Sequence, residues 1–194
     1  FYLAQIHHRG INSVEEAIPY YRKATNRDPS NAKYAYHLGT ALLETNSPDQ
    51  AIPYLKQAVN AKTQFAKAWL RLGQSQESTG QFESAANSFM RSIRANPELT
   101  MAEDEAGIGY HKLGQMYVRF GLFDKAVAVY ENGLEVNPES LMLLHGRGVA
   151  ELKRGELEAA VETFRKVVEE DPTRVSANFN LASALRKKGN KEQA

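Results

Sequence analysis

Apolar residues in this chain recur at the spacing of one helix face, break off at a turn signal, and resume. Ala35, Leu38, Gly39 and Leu42 stand at i, i+3, i+4 and i+7, and Ala51, Leu55, Ala58 and Val59 form a second such stripe. Each predicts an amphipathic helix with one buried face. Between the two lies Asn46-Ser47-Pro48, and comparable breaks are expected at Gly80, Gly121, Gly155 and Gly189. An Asn-Pro or Asp-Pro step follows most of the second stripes, and the residue before a proline disfavours helical backbone. The local order is therefore helix, turn, helix, stop.

That order repeats at a fixed period. The packing glycines Gly39, Gly73, Gly114 and Gly148 lie 34, 41 and 34 residues apart, the first three preceded by leucine. Ala17, Ala51, Ala85, Ala126, Ala160 and Ala194 run in phase, at intervals of 34, 34, 41, 34 and 34. Four residues after the first five alanines comes a large apolar residue: Tyr21, Leu55, Phe89, Tyr130 and Phe164. Twelve after them comes proline (Pro29, Pro97, Pro138, Pro172), with Thr63 the exception. The small residues occupy places where two helices must approach to the usual interaxial distance of about 8 to 10 Å.

The combination of Leu-Gly, A-x3-F and a following proline, with Trp69-Leu70-Arg71-Leu72-Gly73 and Tyr110 through Tyr117 as the fullest copies, resembles the tetratricopeptide repeat family. The resemblance covers essentially the whole chain. It implies an all-α fold, a right-handed superhelical solenoid of antiparallel helix pairs. On this register the full repeats are 32–65, 66–99, 107–140 and 141–174, with partial repeats at 1–31 and 175–194, in a single array. The seven extra residues near 98–106 equal about two helical turns. They are expected to lengthen one first helix as a tolerated surface insertion, in preference to an acidic spur at Glu103-Asp104-Glu105. The start at Phe1 and the lack of a polar capping helix suggest a segment of a longer protein, or ends that pack against another copy.

Composition narrows the function. The chain of 194 residues is 42% hydrophobic and 24% charged, as a folded globular protein is, and its formal charge is +1. That balance gives no bulk attraction to nucleic acid or anionic membrane. No apolar run reaches the length of about 20 residues that spans a bilayer. With no cysteine, disulfides and thiolate chemistry drop out and the compartment is undetermined; the cytoplasm is favoured, with the periplasm and secretion left open.

No catalytic motif appears. Gly107, Gly109 and Gly114 have the wrong spacing for a nucleotide loop and follow no strand. His111 and His145 share one repeat position but lack further ligands for a metal. The chain is read as a non-enzyme with no cofactor and no metal.

The resemblance places a partner-binding groove on the first helices. Its residues here are Lys33, Tyr36, His37 and Thr40; Lys67, Leu70, Arg71 and Gln74; Ile108, His111, Lys112 and Gln115; Met142, His145, Gly146 and Val149; and Ser176, Phe179, Asn180 and Ser183. Lys33, Lys67, Arg71 and Lys112 suit a carboxylate or acidic side chain, while Ile108, Met142, Val149 and Phe179 suit apolar ones. Lys67 and Arg71 resemble the clamp of co-chaperones that hold a C-terminal carboxylate, but His37 stands where that group has asparagine. The expected function is a scaffold binding a partner peptide or helix in this groove. The alternative is the repeat region of a larger enzyme or secretion machine that positions substrate or self-associates; RNA binding ranks last.

Overall fold

The computed structural model describes residues 1, 2, 5, 14–96 and 105–192. Within these the chain forms helices throughout, joined by short turns, and no strand. They are α1 (Val14–Arg27), α2 (Ala32–Glu44), α3 (Pro48–Ala61), α4 (Ala66–Ser78), α5 (Phe82–Ala95), α6 (Glu105–Arg119), α7 (Phe123–Val136), α8 (Leu141–Arg154), α9 (Leu157–Glu170) and α10 (Val175–Glu192). The chain divides into two compact units, Phe1–Pro97 and Glu98–Ala194.

One turn device joins the two helices of each repeat. Gly80, Gly121 and Gly155 adopt φ of 76°, 73° and 90°, and Asn46 takes the same role at φ 55°. After each, a backbone N–H reaches back five residues: Ser47 to Leu42 O at 2.8 Å, Gln81 to Gln76 O at 2.8 Å, Leu122 to Tyr117 O at 2.8 Å and Glu156 to Glu151 O at 3.0 Å. This is the left-handed helix stop that satisfies otherwise orphaned carbonyls. The reversal is tight enough to set the paired helices antiparallel.

Gly189 departs from the expected turn. It lies inside α10, where an added Cβ would meet nothing within 4 Å, so no packing partner draws the chain out of the helix. Thr63 departs from the proline pattern, yet α3 still stops at Ala61; Lys62 takes extended backbone and the Trp69 indole N–H donates to the Thr63 carbonyl at 2.8 Å. Glu105 opens α6, which at 15 residues is two longer than α2 or α4; the rest of the expected insertion lies outside the described residues.

In the first unit the core runs through Ala17, Tyr21, Ala35, Leu38, Leu42, Ala51, Leu55, Val59, Ala68 and Leu72. Asn31 caps α2 by accepting from the amides of Lys33 and Tyr34 at 3.2 and 3.3 Å. In the second unit Ala126, Tyr130, Leu143 and Ala150 form one cluster and Ala160, Val161, Phe164 and Ala184 another. Within each unit the first helices of successive repeats pack together, α2 on α4, and α6 on α8 with α8 on α10. The first-helix face is thus continuous within a unit.

Candidate functional site

The packing glycines decide where side chains can enter. A Cβ on Gly114 would lie 2.4 Å from the Tyr130 ring, and a Cβ on Gly146 would also lie 2.4 Å from that ring. Tyr130, on α7, is therefore held between α6 and α8 at a depth that only paired glycines allow. Above it opens a cavity of about 260 Å³ lined by His111, Gln115 and Val118 of α6, by Tyr130, and by His145, Gly146 and Val149 of α8. No formally charged side chain of the Asp, Glu, Lys or Arg type lines it.

Five residues expected from the sequence, His111, Gln115, His145, Gly146 and Val149, meet in this cavity. Val118 and Tyr130 were not expected there. Gly146 carried the usable signal, because a glycine at a groove position leaves room for a neighbouring ring, here the buried Tyr130, to pack directly beneath the helix.

Electrostatics keep the cavity neutral. The Asn180 amide nitrogen lies 3.2 Å from His145 Nε2; an amide nitrogen only donates, so Nε2 accepts. Burial first, then the nearby Arg174 charge, hold the His145 pKa below the ordinary histidine value, against a backbone hydrogen bond at Ser176. Burial likewise pushes the Tyr130 phenol well above its usual range. The His111 ring lies 6.2 Å from that of Tyr130, and the His145 ring 5.8 Å from Phe164. Ile108, Lys112 and Met142 are half-buried, and Phe179 is exposed.

The first unit arranges its expected residues differently. His37 stacks on Tyr21 at 5.6 Å and meets Phe1 and Tyr36 at 5.3 and 5.2 Å, so it is one ring of an aromatic cluster. Tyr36 also contacts Phe65 at 4.7 Å. Lys33 is exposed with its ammonium 5.3 Å from the Phe1 ring centre, and Lys67 is exposed. Half-buried Arg71 donates to Gln74 Oε1 at 3.0 Å. Two of the expected residues are buried: Leu70 is 3% exposed and Thr40 7%.

Stacked antiparallel helix pairs, with glycine where the two helices of each full repeat cross, define an all-α helical-repeat scaffold. The tetratricopeptide repeat profile matches residues 2–67, 36–99 and 111–175, and the chain belongs to that family. Its fold is of the kind typical of protein–protein interaction. Among solved structures it is similar to MamA at 27% identity, with 83% of this chain and 90% of that one covered and a TM-score of 0.74. It is similar to YrrB, described as a repeat protein with an unusual peptide-binding site, at 21% identity, 89% and 85% coverage and a TM-score of 0.72. A repeat protein of Parabacteroides merdae shares 19% identity over 93% of this chain and 69% of its own, with a TM-score of 0.74. No curated protein matches the sequence. None of the helices among the described residues is long and apolar enough to cross a membrane.

Proposed function

We propose that this protein is a non-catalytic scaffold whose first-helix faces grip a peptide or helix from a partner protein. The observation that carries this reading is the neutral cavity between α6 and α8, floored by Tyr130 and flanked by His111, His145 and Val149. A partner segment places one uncharged apolar side chain there, since a charged one would lose its hydration without an opposite charge to meet. On the first unit, Lys33, Lys67 and Arg71 favour acidic or carboxylate groups through charge-assisted hydrogen bonds. The peptide-binding site named for YrrB is in keeping with this reading, although at 21% identity that likeness speaks for the fold alone.

The test is a random peptide library panned on the intact chain. Enriched peptides should share an apolar anchor residue and bind Val149→Trp, which fills the cavity, at least about tenfold more weakly. Peptides that bind wild type and Val149→Trp equally, or a failure to enrich any sequence, would reject the cavity as the binding site.

A further inference from the structure

A second cavity, of about 460 Å³, opens where the turn before α8 meets the end of α9. Leu144 of α8 and Pro138 of the turn give it apolar surface, and Glu139, Lys166, Glu169 and Glu170 also line it. It shares no residue with the cavity between α6 and α8 and does not rest on the reading of that cavity. The repeat that forms it is complete, with α10 already packed on α9.

The repeat register explains why this space is open. Leu144 stands four places before Gly148, as Trp69 stands before Gly73, and Pro138 and Lys166 stand where that repeat has Thr63 and Arg91. There the Trp69 indole N–H donates to the Thr63 carbonyl at 2.8 Å, and the Arg91 guanidinium lies 4.9 Å from the ring centre. An indole therefore fills in one repeat the place that leucine leaves vacant in the other. The turn carbonyl shows the same gap. At this register place Pro29 O accepts from the Gln57 amide at 2.6 Å, Thr63 O from Trp69, and Pro172 O from the Asn178 amide at 2.9 Å. Leu144 has no donor to offer the Pro138 carbonyl, and the Lys166 ammonium is held by Glu162 at 3.1 Å. Charge changes as well: the places of Gln64, Arg94 and Ala95 hold Glu139, Glu169 and Glu170, all three exposed.

We propose that this cavity binds an indole, or a similar flat ring with an N–H, joined to a cationic amine. The ring lies against Leu144 and its N–H donates to the Pro138 carbonyl, as the Trp69 indole does to Thr63. Lys166 covers the ring face as Arg91 covers Trp69, an attraction between a cation and the π-system. The amine meets the carboxylates of Glu139, Glu169 and Glu170 in charge-assisted hydrogen bonds, which outnumber the single ammonium of Lys166. The cavity volume falls in the range of about 300 to 1,000 Å³ usual for small-molecule sites. Two sources carry this chemistry: a free aryl-alkylamine, and a tryptophan beside a lysine or arginine on a partner protein.

The probes are tryptamine and the peptide acetyl-Lys-Trp-Lys-amide, each titrated into the isotope-labelled intact chain and followed by amide NMR. The amides of Glu139, Leu144, Glu169 and Glu170 should shift and saturate with at least one probe, and the tighter of the two identifies the source as a free amine or a partner's tryptophan. Indole-3-acetate, the same ring with the opposite charge, should bind at least about tenfold more weakly than tryptamine, and Glu169→Lys with Glu170→Lys should weaken tryptamine by about as much. Leu144→Trp should abolish binding of both probes, because the chain's own indole then fills the place, and its urea midpoint should be no lower than that of wild type. Failure of both probes to saturate, equal binding of tryptamine and indole-3-acetate, or undiminished binding to Leu144→Trp overturns the proposal. A lowered midpoint in Leu144→Trp overturns it too, because the cavity would then not accept an indole.

Discussion

Glu151 shows how a single residue departs from its sequence pattern. It occupies a buried place on α8, with Oε1 3.1 Å from Arg147 Nε, while Arg147 Nη2 donates to the Thr163 hydroxyl at 2.9 Å. Burial raises its pKa; Thr163 and Arg147 oppose the rise, and Glu156 and Glu131 add to it. The folded state therefore keeps this proton to higher pH than the unfolded chain does. The stability contribution is fullest below the ordinary carboxylate range and falls as pH climbs through the folded value. Urea unfolding at steps from about pH 4 to about pH 8 should show wild type losing stability relative to Glu151→Gln as pH rises. Parallel curves would mean that Glu151 titrates alike in both states. Nothing in the 34-residue spacing marks this position, because the same register place holds Leu42, Gln76 and Tyr117.

At the scale of the helix pair, the turn residue is the part most constrained by backbone geometry. Gly155 sits at φ 90° with no atom within 4 Å of a would-be Cβ, so conformation alone demands glycine there. Gly155→Ala should cost about 1 to 2 kcal/mol from left-handed backbone strain, read as a lower denaturant midpoint. An unchanged midpoint would show the turn relaxing freely. Asn46 holds the equivalent left-handed place at φ 55°, which asparagine tolerates better than other non-glycine residues. These turns were legible in the sequence because glycine and asparagine announce positive φ. Gly189 was misleading for the same reason: glycine permits a turn without requiring one, and with nothing packed against it the helix continues.

For the whole molecule, repeat packing converts a local glycine into a global constraint. The would-be Cβ of Gly73 lies 2.5 Å from the Phe89 ring, which is fully buried. Gly73→Leu should destabilise the first unit by about 3 kcal/mol or more through overpacking. Trp69, the only tryptophan, lies in that unit and reports its unfolding by fluorescence. A wild-type midpoint in the variant would refute the helix register. The partition into two units was not foreseen from the regular array, although their boundary falls where the period lengthens from 34 to 41 residues.

The sequence by itself determined the repeat, the register and the positions of the close helix crossings. These rest on periodicity, glycine size and proline chemistry, which act within a few residues of the chain. The tertiary structure alone decided which first-helix residues reach the surface. Leu70 and Thr40 are closed over while Tyr130, a core-pattern residue on a second helix, becomes the floor of a cavity. That outcome depends on Gly114 and Gly146 facing one ring from two different helices, a juxtaposition across repeats that no local pattern encodes.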